Sequence, residues 1–374
     1  MALNCGIVGL PNVGKSTIFS ALSNASAEIA NYPFCTIQPN TGIVSVNDPR
    51  LDRLREIFSP KKTVAAVIEF VDIAGLVKGA STGEGLGNQF LAHIREVGII
   101  AHVVRCFDNP DITHVNNKVD PDSDMEVIAL ELALADLQTL KKRRERAERA
   151  MKVLGADEKK AAALVLSALD KIEAELSDGK GARGASLSEA EREAVRDCNF
   201  ITQKPLLYVC NTDENGARGA AKGEPDAYIR AVARRAEAEG TLAIVICGKF
   251  EAELTGIEDA SEKKEFLSEL GMEESGLERL VRSAYGLLGL ATFFTAGADE
   301  CRAWTIRAGC RAPEAAAVIH TDFQKGFIKA EVYSFEDLEA LGSEAKIKEA
   351  GKYRVEGKEY AVQDGDIMFF KFNV

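Results

Sequence analysis

The nine residues GLPNVGKST at positions 9–17 fit the pattern G-x-x-x-x-G-K-[ST] and stand between an apolar run and the helix-like IFSALSNA. A loop that joins a buried strand to a helix in this way turns successive backbone N–H groups toward one point, where the helix N-terminus adds positive potential. Such a cradle suits a phosphate chain, with Gly9 and Gly14 allowing the tight turn. Asn12, Val13, Gly14, Lys15, Ser16 and Thr17 are therefore the candidate nucleotide-binding residues. Lys15 is expected to bridge the β- and γ-phosphates, which makes it a catalytic candidate too. The Ser16 hydroxyl is expected to ligate Mg2+ and Thr17 to bond the α-phosphate.

A second motif supports the first. VDIAGLVKG places Asp72 and Gly75 in a D-x-x-G arrangement at the end of a strand-like run, where Asp72 would hold a Mg2+-bound water and the Gly75 N–H would contact the γ-phosphate. Between the two, NYPFCTIQPNTG offers Thr36 as a second Mg2+ hydroxyl in a loop ordered only while the γ-phosphate is present. Its neighbour Cys35 is either a silent exposed thiol or a redox-sensitive point. Many enzymes of this kind carry a water-orienting Gln directly after the D-x-x-G, but here the residue is Leu76. Leucine cannot polarise water. Hydrolysis is then very slow, or another group moves in, or K+ assists beside Asn12. Of the four histidines, His102 reads as core, His93 sits in the helix after the second motif, and His320 lies near the C-terminus. His114, in the polar loop DNPDITHVNNKVDP, is the one most free to reach a phosphate.

The base-reading segment is YVCNTDENG, positions 208–216. A guanine reader has Asn-Lys-x-Asp there, its Asp accepting from N1–H and the N2 amino group; this chain has Asn211, Thr212, Asp213 and Glu214. Glu214 is one methylene longer, which moves its carboxylate off the bidentate position, and Thr212 lacks the stem that covers the base. The Asn211 amide both donates and accepts, which suits the N6/N7 edge of adenine. Cys247-Gly248-Lys249 keeps a backbone N–H that could still meet guanine O6. A mispaired buried polar group costs roughly 1 to 3 kcal/mol, so the expectation is ATP preferred over GTP, with a GTPase or dual-specificity switch as the alternative.

These loops need a scaffold. LNCGIVGL, AAVIEFVDIAG, IIAHVVRCF, PLLYVCN and TLAIVICG are short apolar runs alternating with helix-like segments, the signature of a mostly parallel sheet covered on both faces. The alternation stops at about residues 125–204. There Val127, Ile128, Leu130, Leu134, Leu137 and Leu140 recur at helical spacing, a second helix is expected from Asp157 to Leu176, and a Ser-x-x-Glu start follows. This predicts a helical hairpin inserted into an α/β domain of residues 1–124 and 205–290. Its basic run KKRRERAERAMK is either a solvated face or an RNA contact. Residues 291–374 read as a small α+β domain with one helix, SFEDLEALG, among strands AWTIRAG, FIKAEVY, KEYAV and IMFFKFNV, whose aromatics Phe293, Phe294, Phe369, Phe370 and Phe372 are expected in its core.

Composition agrees with a globular protein: 374 residues, 46% hydrophobic, 28% charged, with a net charge of −12 that argues against general coating of nucleic acid. The N-terminus has no secretory pattern and no run is long enough to span a membrane, so a cytoplasmic location is expected. Eight scattered cysteines without a CxxC pair suggest neither a zinc site nor disulfides.

GLPNVGKST, NYPFCTIQPN, DIAGLVKGAS, the N-x-x-E of NTDE, FFTAGADECRAWTI, VIHTDFQKGFIKAEV and VQDGDIMFFKFN together resemble the YchF family of Obg-like ATPases, from the first strand to the last residue. The resemblance implies an α/β P-loop domain of Ras-like topology, a coiled-coil insertion and a C-terminal TGS domain of β-grasp type. It also implies ATP hydrolysis, association with the ribosome through its large subunit and a role in translation or stress responses; no membrane or DNA partner is expected. The family's proposed catalytic histidine carries over onto His114. The other readings of these residues are a GTPase of the translation-factor kind and a nucleotide-gated adaptor with incidental hydrolysis.

Overall fold

The five apolar runs are the strands of one parallel sheet. The computed structural model describes residues 3–24, 40–73, 86–115, 118–153, 155–257, 259–269 and 271–373. Numbered along the chain, β4 (Ala66–Asp72), β1 (Asn4–Val8), β5 (Ile99–Arg105), β6 (Leu206–Asn211) and β7 (Leu242–Ile246) lie side by side in that order and all run parallel. β5 and β6 are buried at every residue, as expected of central strands covered on both faces. The core placement of Cys5, Cys106, Cys210, Cys247 and His102 follows from this. Burial pushes the His102 imidazole down to about 3, with Lys15 and Arg235 adding to it.

The chain divides into two compact units, Met1–Gly42 with Glu69–Leu280, and Ile43–Ile68 with Val281–Val374. β4 and β2 (Thr41–Val46) run across the division. In the first unit, α1 (Lys15–Asn24), α3 (Leu86–Glu96), α7 (Glu214–Ala221), α8 (Ala227–Ala238), α9 (Gly248–Leu254) and α10 (Ala260–Glu269) accompany the sheet, and α11 (Gly276–Leu287) leads out of it. The expected hairpin is α4 (Pro121–Val153) and α5 (Ala156–Ser177), sharing a core of Leu140, Ala147, Leu169 and Ile172. Its apolar stripe differs from the expected one. Ile128 and Leu140 are buried, but Leu130 is 56% exposed and Leu132 is buried instead. The reason is that α4 changes partners along its length, facing β5 and α8 as well as α5, so no single stripe serves it.

The return from the hairpin is held by buried charge. Ser188 and Glu191 form the reciprocal cap expected at the start of α6 (Glu189–Ala194). Fully buried Asp136, on α4, accepts from the Ile201 and Thr202 N–H groups at 2.9 and 2.8 Å and from the Thr202 hydroxyl at 2.7 Å. The Lys204 ammonium donates to the carbonyls of Arg95 and Val97 at the end of α3, where the helix leaves carbonyls without intrahelical partners.

The second unit has its own sheet, ordered β11-β10-β12-β8-β9-β3. β8 (Leu290–Thr295) and β9 (Glu300–Arg307) are antiparallel, as are β10 (Phe327–Ser334) and β12 (Asp366–Phe372); β11 (Arg354–Glu356) pairs antiparallel with β10. β12 runs parallel to β8. Phe293 and Phe294 are fully buried, and Phe370 meets Phe293 edge-on at 5.8 Å. The expected helix is α14 (Phe335–Leu341), but α12 (Ala312–Ile319), α13 (Thr321–Lys325) and α15 (Glu344–Glu349) join it, each too short for a clear 3.6-residue pattern. KEYAV forms no strand and contributes only a bridge from Ala361 to Arg311.

Residues 43–68, read from sequence with the nucleotide-binding domain, belong by their contacts to this second unit. β3 (Lys62–Val64) pairs parallel with β9, Leu54 of α2 (Pro49–Phe58) is fully buried, and Arg50 reaches Asp364 at 2.6 Å. Among the described residues no helix is long and apolar enough to cross a membrane.

Glu251, on α9, gives a pH test of this core. It is 1% exposed, its Oε1 accepts the Gly276 N–H at the start of α11, and burial holds its carboxyl at about 7 against an ordinary 4.5. Between those values the unfolded chain has lost a proton that the folded protein keeps, so stability falls as pH rises through the window. Glu251→Gln removes this term, worth up to about 3 kcal/mol. Urea melts at pH 5 and pH 7.5 check it: the variant should gain on the parent as pH rises, and a constant offset at the two pH values would refute the assignment.

Candidate functional site

Between β1 and α1 the backbone turns through left-handed conformations at Asn12 (φ 62°) and Gly14 (φ 94°). A side chain on Gly14 would place its Cβ 2.0 Å from the Asn211 amide nitrogen, and one on Gly9 would lie 2.5 Å from the Val103 carbonyl oxygen. Both glycines are there because another part of the chain comes so close. Lys15 opens α1 almost wholly buried, its ammonium folded back onto the carbonyls of Gly9 at 3.0 Å and Leu10 at 2.7 Å. Burial pulls its pKa down to about 8, opposed by the Asp72 carboxylate. Asp72 ends β4; burial raises its carboxyl, Lys15 opposes that, and its Oδ1 is buried without a hydrogen-bond partner among the described residues.

Asn211, at the end of β6, ties this loop to the sheet. Its Nδ2 donates to the Val13 carbonyl at 2.8 Å, and its Oδ1 accepts the Gly248 N–H at 3.1 Å. Sequence reasoning assigned both atoms to a nucleotide base; in the structure both are engaged within the protein. Thr212 is also buried, donating its hydroxyl to the Cys106 carbonyl at 3.1 Å. Asp213 caps α7 by accepting the Gly216 N–H, and the Glu214 carboxylate accepts the Lys249 ammonium at 3.1 Å.

These segments surround one cavity of about 700 Å³, in the size range of small-ligand pockets. Asn12, Gly14, Lys15, Ser16 and Thr17 line it from the first loop, and Asn211 to Asn215 and Cys247 to Lys249 from the other strand ends. The structure thus brings together the phosphate-loop and base-reading candidates. Four further lining residues escaped the sequence reading: Phe107, Asp108, Asn109 and Ile112, in the loop after β5. The available signal was positional, since ligands sit at the carboxyl ends of parallel strands and β5 is the next strand to β1.

His114 differs from its expected state. Rather than a solvated loop histidine it is buried, its Nε2 donates to Asp124 Oδ2 at 2.9 Å, and it does not line the cavity. Asp124, near the start of α4, is itself buried and its carboxyl is raised by that burial, against the hydrogen bond from His114. The preceding Thr113 carbonyl accepts from Asn12 Nδ2 at 3.1 Å, joining the two loops. Thr36, Gly75, Leu76 and Cys35 lie outside the described residues.

A family model described as 50S ribosome-binding GTPase matches residues 4–140, and one for the YchF GTPase C-terminal region, described as of unknown function, matches residues 290–373. The chain is 52% identical over 374 residues to a Bacillus subtilis protein named ribosome-binding ATPase YchF, 51% identical over 374 residues to its Escherichia coli O157:H7 namesake, and 46% identical over 377 residues to that of Mycoplasma genitalium. Each alignment covers 100% of both chains. The structure of the Schizosaccharomyces pombe YchF GTPase aligns with a TM-score of 0.87 at 38% identity, covering 99% of this chain and 97% of that one. A GTP binding protein from Pyrococcus horikoshii aligns at 0.59 and 19% identity, over 99% of this chain and 100% of that one, a likeness of fold alone.

Gly14→Ala tests the cradle. The added methyl must displace the Asn211 amide, so nucleotide affinity should fall at least about tenfold, equivalent to 1.4 kcal/mol. Calorimetry beside a thermal melt checks it; full affinity would show that the loop relaxes around a side chain.

Proposed function

The chain belongs to the YchF family, and from that premise we propose a magnesium-dependent P-loop triphosphatase that prefers ATP to GTP and works as a ribosome-associated switch. The observation that carries the reading is the convergence of the phosphate loop and the NTDE segment on one cavity. Lys15 leaves the Gly9 and Leu10 carbonyls for the β- and γ-phosphates, while the loop N–H groups and Thr17 take the remaining oxygens. Magnesium suits the residues present: Ser16 lines the cavity, and the unpartnered, buried Asp72 Oδ1 fits a metal-bound water. Thr36 would add a second hydroxyl and the Gly75 N–H a γ-phosphate contact. The bound ion supplies charge neutralisation on the phosphate oxygens. A potassium ion would meet the side-chain oxygen of Asn12, whose nitrogen is turned to Thr113.

Base preference rests on acceptors. The Gly248 N–H, the natural donor to guanine O6, is given to Asn211, and the Glu214 carboxylate leans to Lys249. Guanine O6 then loses that donor and its N1–H and N2 groups face a carboxylate drawn to Lys249, whereas adenine presents none of the three. Hydrolysis needs a water-positioning group in place of Leu76; His114 serves if it parts from Asp124 and enters the cavity.

The relatives' names speak of ribosome binding. A surface for the large subunit is available on the hairpin: Lys141, Lys142, Arg146, Lys152, Lys159 and Lys160 are exposed. Arg144 is instead spent on Asp170 and Glu173, and Arg143 on Asp197. Such a local basic tip meets RNA despite the acidic whole. One specific observation favours a second reading, hydrolysis of GTP: the S. pombe relative carries the name GTPase.

Titration calorimetry with ATP and GTP, in Mg2+ at fixed salt, separates the readings. ATP should bind at least about tenfold more tightly, a difference of 1.4 kcal/mol; equal or tighter GTP binding would move the protein to a GTPase or dual switch. For the histidine, His114→Ala should lower turnover about 10²-fold or more while ATP affinity holds. Unchanged turnover would remove His114 from the mechanism.

A further inference from the structure

Arg105, the last residue of β5, is 1% exposed, and its guanidinium is spent on backbone rather than on a carboxylate. Nε donates to the Phe107 carbonyl at 3.1 Å, Nη1 to that of Ile112 at 3.0 Å and Nη2 to that of Asn109 at 3.2 Å. The guanidinium carbon also lies 4.7 Å from the centroid of the Phe107 ring. Phe107, Asn109 and Ile112 are three of the four residues with which this loop lines the cavity. Its other described ties are few: Asp111 N–H to Asn109 Oδ1 at 2.9 Å, Ile112 N–H to Asn109 O at 3.3 Å, the Tyr228 hydroxyl to Asp108 at 3.0 Å and, at the far end, Asn12 Nδ2 to the Thr113 carbonyl at 3.1 Å.

We propose that Arg105 is a positioning residue for the nucleotide: it holds the 107–112 loop as a preformed wall of the cavity and withdraws that wall's carbonyl oxygens from the base. The inference rests on the ATP-binding reading above and deepens it. Both purine bases carry amino donors, and a free loop carbonyl would accept from either without discrimination. With three of the loop's carbonyls turned onto the buried Arg105 guanidinium, discrimination is left to Glu214 and its neighbours. Only a planar group with donors on three sides serves carbonyls spread over six residues; the lysine ammonium, a compact point on a flexible stem, does not. Ordering the wall before the nucleotide arrives also spares binding that entropy.

The test compares the full-length parent, Arg105→Lys and Arg105→Met by ATP and GTP calorimetry and by steady-state turnover. Both variants should lose about tenfold in ATP affinity. Their kcat at saturation should stay within about twofold, and the ATP:GTP affinity ratio should narrow at least about threefold. A purely structural role would lower thermal stability and leave affinity and ratio alone; that result overturns the proposal. Failure of the parent itself to bind ATP would instead sink the functional reading. If neither variant folds, hydrogen exchange on the parent decides. The Asp111 and Ile112 amides, which bond to Asn109 within the loop, protected equally with and without ATP support the proposal, whereas free exchange of both until ATP is added shows that the nucleotide, not Arg105, builds the wall.

Discussion

One side-chain amide holds the cavity at the strand ends together. Asn211 links β6 to the first loop, 198 positions away, and to the start of α9, 37 positions on. Both bonds are buried, so each is worth more in place than its net contribution to stability suggests: removing the amide would strand the Val13 carbonyl and the Gly248 N–H without water. The identity of Gly14 follows from the same contact, since that residue faces the amide with no room for a methyl. Asn211 thus clamps the loop with one N–H and one lone pair of its amide while lining the cavity where a base reader was expected.

Around that clamp the first unit repeatedly buries charge and satisfies it with backbone. Lys15 rests on two carbonyls, Lys204 on two, and Arg105 on three, while Asp136 takes two N–H groups and a hydroxyl. Side chains of this kind fix irregular loops and helix ends that would otherwise leave polar backbone buried and unpaired. They differ in what they are free to do. In the function proposed above, the Lys15 ammonium alone of these exchanges its backbone partners for a ligand. Asp72 and Asp124 differ again: burial raises both carboxyls, and each has a buried Oδ1 without a hydrogen-bond partner among the described residues.

What could be read from sequence was what local pattern encodes. The phosphate loop declares itself by glycine spacing between a strand and a helix; the five parallel strands, by apolar runs of the right length; the hairpin, by helical periodicity and the Ser188–Glu191 cap. What escaped depends on distant partners. Nothing near His114 shows that Asp124 will take it out of solvent, and nothing in NTDE shows that Asn211 is already engaged at both ends. The cavity-facing loop after β5 carries no motif, because its shape comes from one arginine bonding to carbonyls, which any sequence can offer. Short helices such as α12 and α13 are set by the sheet they cover, and too few turns exist to leave a period.

The allegiance of residues 43–68 also shapes how the chain must be made. Lys62 pairs with Glu300, and Lys61 with Asp299 across 238 positions, so this segment emerges from synthesis long before its partners. At about 5–20 residues per second the wait is on the order of 10 to 50 s. Through that interval Leu51 and Leu54 of α2, buried in the finished protein, have no finished surface to cover them. The N-terminal third therefore cannot be folded to completion in the order it is translated. A chain cut after residue 280 would never complete it, however well its parallel sheet formed, and the apolar face of α2 and an unpaired strand would be left open to aggregation.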